Sequence, residues 1–134
     1  MSNLPTVQHI YEAFGAGDVV GVLARLADDV DWEYDNADNG VPILAPGRGK
    51  DHALRYFAAV GGGLDIKRFE PVALLESGNL VVAVIDTDAV VRDTGRSIRQ
   101  EHEIHLWTFG EDRLITRFCH KVDTHAYWLA YQKD

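Results

Sequence analysis

The spacing of apolar residues changes character near the middle of the chain. In the first half it mostly follows the helical period. Val7, Ile10, Tyr11 and Phe14 recur at that spacing behind Thr6, a helix-capping residue type, and Gly15 and Gly17 predict where the helix ends. Asp18 then caps a second predicted helix, whose stripe is Val19, Val22, Leu23 and Leu26. The segment DDVDWEYD alternates instead. Val30, Trp32 and Tyr34 fall on one side, and Asp31, Glu33 and Asp35 on the other, which predicts a strand with one buried face. Residues 35–49 are rich in Asn, Gly and Pro and predict a long loop, whose apolar patch Val41-Pro42-Ile43-Leu44 should fold over something. A third helix is expected over about residues 51–60, with Leu54, Phe57 and Ala58 inward and Gly61-Gly62-Gly63 as its stop.

In the second half the pattern becomes that of strands, near 66–75, 79–91, 97–109 and 113–122. Turns at Ser77-Gly78-Asn79, Arg92-Asp93-Thr94-Gly95 and Gly110-Glu111-Asp112 join them into an antiparallel meander. Asp123 caps a short last helix that carries Ala126, Tyr127 and Ala130 toward the core. Helices followed by an antiparallel sheet read as an α+β fold. The expected architecture is a curved antiparallel sheet wrapped around the N-terminal helices, a cone-shaped α+β barrel with a cavity at its open end.

Composition narrows the partners. The 134 residues suit one domain over 1–134, and a net charge of −8 argues against a nucleic-acid surface. No apolar stretch approaches the roughly 18 residues of a membrane span, so no membrane partner is expected. Cys119 is the only cysteine, which excludes a disulfide scaffold. With no secretion signal visible in MSNLPTVQHIY, the expected location is cytoplasmic.

The start YEAFGAGDVVGVLARLADDVDW, the piece GRGKDHALRYF and the ending LWTFGEDRLITRFCHKVDT together resemble the NTF2-like superfamily, in its SnoaL-like and ketosteroid-isomerase-like branch. The resemblance covers nearly the whole chain and implies the cone-shaped fold. Its members include steroid isomerases, polyketide cyclases, dehydratases, epoxide hydrolases and non-enzymatic binding domains, and many dimerise. Carried over by position, the isomerase's oxyanion-hole tyrosine falls at Ile10, next to Tyr11, its aspartate base at Tyr34, and its protonated aspartate at His105. All three differ, and a tyrosine with a pKa of about 10 is a poor base at neutral pH, which argues against a steroid-type isomerase of that mechanism. Phe57 keeps the aromatic character of the isomerase's pocket residue. His105 and His120 are similar in place to a cyclase's histidine and aspartate, although no aspartate stands at the second site. Arg99 and Glu101 resemble a fragment of the epoxide hydrolase Asp-Arg-Asp set.

Alternation gives the candidate chemistry without the family. Glu101, Glu103, His105, Trp107 and Phe109 share one strand face, and Thr116, Phe118, His120 and Val122 share another. Glu103, His105 and His120 are thus expected in a cavity walled by Trp32, Phe57, Trp107 and Phe118, with Tyr11 close by. Histidine moves protons near neutrality, Glu103 can orient an imidazole or act as a base, and Tyr34 can donate to a carbonyl or enolate oxygen. This set implies proton transfer next to a carbonyl in a small apolar or aromatic molecule, as in a cofactor-independent isomerase, cyclase or dehydratase. No phosphate-binding glycine loop or zinc spacing is present, so no cofactor and no metal is expected. The competing readings are a non-catalytic binding module, in which the histidines are packed strand residues and Trp32 and Tyr34 are core, and a dimerisation module. A homodimer is expected through the outer sheet face.

Overall fold

The computed structural model describes residues 1–133. Helix α1 spans Leu4–Gly15 and buries Val7 and Ile10. It begins two residues before the expected Thr6 cap, because Pro5 sits in the first turn, where a missing N–H costs nothing. Helix α2, Val19–Leu23, is capped as expected by Asp18, which accepts from the Gly21 N–H at 2.9 Å. Leu26 leaves the predicted helical stripe and opens strand β1, Leu26–Trp32. The loop that follows contains a short helical turn, Pro42–Leu44, and a two-residue strand β2, Gly47–Arg48.

Helix α3 runs Lys50–Gly63, straight through the three glycines expected to stop it. Ala53 and Val60 are its buried residues, with Tyr56 and Phe57 half-buried on the same side, so the inward stripe has a different phase from the one predicted. Leu54 is exposed. Packing of this stripe overrides the glycine propensity, and strand β3, Leu64–Ser77, begins at once. Strands β4, Leu80–Val91, β5, Ser97–Phe109, and β6, Ile115–Lys121, complete the expected meander. Helix α4, Thr124–Tyr131, is capped by Asp123 through the Ala126 N–H.

The six strands form one sheet in the order β2-β1-β6-β5-β4-β3. This corrects the expected architecture in two ways. The sheet is mixed, because β1 runs parallel to β6. It is also open: β2 and β3 are its two edges, so the cone-shaped barrel does not form. A two-residue β2 offers too little ladder to close against the long β3.

Two apolar clusters lie within the fold. One gathers Val7, Ile10, Val22, Val30, Trp32, Trp107 and Phe118, among others. The second joins α4 to the loop patch Val41, Ile43 and Leu44, with Val60, Ala89 and Ile98. Among the described residues no helix is long and apolar enough to cross a membrane.

Candidate functional site

Two irregularities on the inner face of the sheet set the site. On β5, Gln100 opposes Thr87 and Glu103 opposes Ile85, so Glu101 and His102 together face Asp86 as a bulge. His102 takes φ 61° there, and its N–H donates to Asp86 Oδ1 at 2.9 Å. The bulge moves Glu101 out of the expected row, while Glu103, His105, Trp107 and Phe109 stay buried. On β6, Phe118 and His120 are likewise buried. His105 and His120 are direct ladder partners, and their rings meet edge to face at 4.4 Å.

The second irregularity is Glu33. Strand β1 stops at Trp32, and Glu33 turns into the left-handed region at φ 55°. Its N–H donates to the Phe118 carbonyl at 2.7 Å, and its side chain swings inward rather than outward. Glu33 Oε1 then accepts from the His120 backbone N–H at 2.8 Å and pairs with His120 Nδ1 at 2.9 Å. Asn36 Nδ2 donates to the other oxygen at 2.9 Å. Tyr34 is thereby carried out of the expected row. Its ring lies under the Arg117 guanidinium, 3.7 Å away, and it does not join the histidines.

Glu103 is held differently. Thr87 Oγ1 donates to Oε1 at 2.5 Å, and Tyr127 Oη donates to Oε2 at 2.7 Å. His105 Nε2 lies 3.7 Å from Glu103 Oε1, too far for a hydrogen bond. That nitrogen is buried without a hydrogen-bond partner among the described residues, as is Trp32 Nε1. His105 Nδ1 meets Tyr11 Oη at 2.8 Å, and the same oxygen accepts from Trp107 Nε1 at 2.9 Å. Tyr56 Oη lies 3.3 Å from His120 Nε2. All four ionisable centres are deeply buried: Glu33 is 0%, His105 3%, Glu103 4% and His120 5% exposed.

These surroundings push the two imidazoles apart. Burial, reinforced by the nearby His120, lowers His105 to about 4, despite the attraction of Glu103. Burial pulls the same way on His120, but the charge and hydrogen bond of Glu33 outweigh it and raise this imidazole above its ordinary value. For Glu103, burial alone would raise the carboxyl; His105, His120 and the Thr87 hydroxyl prevail and hold it down to about 2. Burial raises the Tyr11 and Tyr56 hydroxyls well above their usual range, so both remain protonated donors.

The aromatic walls close in on one another. Phe118 lies 4.3 Å from both Trp32 and Trp107, ring centre to ring centre. The cavity they leave, with Ile10, Tyr11, Tyr56, Phe57 and His105 on its wall, is about 30 Å³, space for roughly two water molecules. Beyond Phe14, Phe57 and Phe69 it adjoins a groove of about 530 Å³ along α1, α3 and the start of β3. On the other side, Glu103 and His120 line a polar pocket of about 350 Å³ with Asn36 and Gln100. Among the described residues, no group of three or more His, Cys, Asp or Glu side chains is placed to hold a metal ion.

Of the expected residues, the structure brings His105, His120, Glu103, Trp32, Phe57, Trp107, Phe118 and Tyr11 together and leaves Tyr34 out. Sequence reasoning missed Glu33, Tyr56, Thr87 and Tyr127 as partners of the buried charges. Tyr56 was within reach, because it shares a helical stripe with Ala53 and Val60.

A SnoaL-like domain model matches residues 7–118. The chain belongs to the SnoaL-like domain family, within the NTF2-like superfamily. This SnoaL-like chain is 28% identical to an NTF2-like protein of unknown function from Burkholderia pseudomallei, over 97% of this chain and 98% of that one, with a TM-score of 0.82. An NTF2-like protein from Burkholderia xenovorans is 23% identical over 97% and 95% of the two chains, with a TM-score of 0.84. A proposed polyketide cyclase from Pseudomonas putida shares the fold at 16% identity, over 97% and 98%, with a TM-score of 0.76. No curated protein matches the sequence.

Proposed function

We propose that this SnoaL-like protein binds a small apolar carbonyl compound and moves a proton at the carbon next to the carbonyl, without a cofactor. The observation that carries the reading is the pair of buried imidazoles, 4.4 Å apart, whose surroundings favour protonated His120 and neutral His105. Environments that drive two titratable groups apart are how one site holds both an acid and a base near neutral pH. His120 is the proton acceptor once it is deprotonated, as pH rises through its raised value. Glu33 holds its Nδ1–H, leaving Nε2, which now leans on the Tyr56 hydroxyl, to take the proton. The same proton, returned to another atom of the ligand, gives isomerisation or dehydration. The apolar walls supply affinity by excluding water.

The test is exchange of the C2 hydrogens of 1-indanone in D2O, followed by proton NMR. Exchange above the buffer rate is expected, rising with pH through a value above 6.5 and lost in His120→Gln. Binding without exchange would support the second reading, a non-catalytic binder. The narrowness of the cavity favours that alternative. A homodimer through the outer sheet face, where Val82, Val84, Ile104 and Leu106 are apolar yet only half-buried, belongs to the same proposal. A monomeric solution mass would overturn it.

A further inference from the structure

The hydrogen bonds around Tyr11 settle the direction of their neighbours. Indole nitrogen can only donate, so Trp107 Nε1–H gives its proton to Tyr11 Oη. The Tyr11 hydroxyl has one proton of its own, and His105 Nδ1, 2.8 Å away, is the acceptor within reach. His105 Nδ1 is therefore the lone-pair nitrogen, and the neutral ring carries its hydrogen on Nε2. That N–H finds no acceptor, because Thr87 and Tyr127 turn the Glu103 oxygens elsewhere and the nearer one is 3.7 Å away. Trp32 contributes a second buried N–H without a partner. Both residues line the same small cavity, and each unmade bond carries a desolvation cost. Of the other polar side chains on the wall, Trp107 gives its N–H to Tyr11, and the Tyr11 and Tyr56 hydroxyls are engaged with His105 and His120.

We infer that the inner cavity recognises a hydrogen-bond acceptor, with Trp32 Nε1–H and His105 Nε2–H as its donors, and that it selects a ketone over the corresponding alcohol. This deepens the function proposed above and rests on it. Tyr11 and Trp107 are positioning residues that fix the His105 tautomer, and Trp32 is a specificity-determining residue. The cavity has room for the carbonyl head, while the body of the ligand extends past Phe14, Phe57 and Phe69 into the groove of about 530 Å³. An alcohol of the same skeleton brings a hydroxyl proton for which the wall offers only the tyrosine oxygens, weak acceptors already engaged with the two histidines.

Two measurements on the full chain test this. Nitrogen-15 NMR of the imidazoles at neutral pH should find His105 protonated on Nε2, with Tyr11→Phe mixing its tautomers. Binding of 1-indanone and of 1-indanol, followed by tryptophan fluorescence, should favour the ketone by about tenfold. Trp32→Phe, which keeps a ring against Phe118 and removes the N–H, should narrow that ratio to about threefold, mostly by weakening the ketone. An Nδ1–H tautomer at His105 overturns the inference whether or not the variant folds. Equal binding of the two compounds overturns it while leaving the apolar-ligand reading intact. Failure of both compounds to bind overturns the two together.

Discussion

Glu33–His120 and Glu103–His105 are the same pair of residue types, buried to the same depth with their imidazoles in contact, yet they behave in opposite ways. The first carboxylate reaches its imidazole at 2.9 Å and takes the adjoining backbone N–H as well. The second stands 3.7 Å off, because Thr87 and Tyr127 already occupy its oxygens. The orientation of the lone pairs, more than the distance between the residues in the chain, decides which imidazole holds a proton. A buried charge needs hydrogen bonds as well as a counter-ion, and the pair that has both keeps its proton.

The sharpest way to break this contrast is Glu33→Gln. Removing one partner of a buried pair strands the other charge, so a loss of about 3 kcal/mol is expected in urea unfolding. His120 should then titrate below 6.5 by NMR, as His105 does. A change under about 0.5 kcal/mol would mean that the tight pair contributes no more than a surface contact.

The pH dependence of stability reads both dyads at once. His105 has its folded value lowered to about 4, so the unfolded chain binds the extra proton between there and 6.5. Its contribution is full above 6.5 and is lost as pH falls toward 4, roughly 3 kcal/mol in all. The His120 value is raised, so its contribution is full below 6.5 and is lost as pH climbs through the folded value. Glu103 adds a further loss on acidification from 4.5 to about 2. Denaturant midpoints measured across pH should peak near 6.5, and His105→Gln should flatten the acid limb between 6.5 and 4.

The smallest expected effect sharpens the comparison from the other side. Tyr127→Phe removes one donor from Glu103 and should cost about 1–2 kcal/mol. The freed oxygen can then turn toward His105, whose titration should move upward from about 4. A titration unmoved by Tyr127→Phe would mean that burial alone sets the proton affinity of His105.

The positions of His105, His120, Trp107 and Phe118 were legible because a strand alternates with period two and these residues keep the period. Tyr34 was misplaced for the same reason. Its row was extended past Trp32, and nothing in the type of residue 33 announces that a glutamate will adopt a left-handed conformation. The bulge that takes Glu101 out of the alternating row is marked by no turn residue. The helix over 50–63 was found and Phe57 faces inward as expected, but Leu54 and Ala58 are exposed and the three glycines do not end it, because packing outweighs them. The barrel was inferred from the family likeness together with the helix-and-meander pattern. The order of the strands, with β1 beside β6, is a long-range choice that local spacing does not encode.

The bulge at Glu101 and His102 has a wider consequence. It makes β5 two rulers laid end to end: one measures Ile98 against the packing around α4, the other measures Glu103 and His105 against the proton chemistry. Errors in one ruler need not propagate to the other. A lineage carrying this kink can therefore retune the reactive end of the strand while the end that anchors the last helix keeps its register.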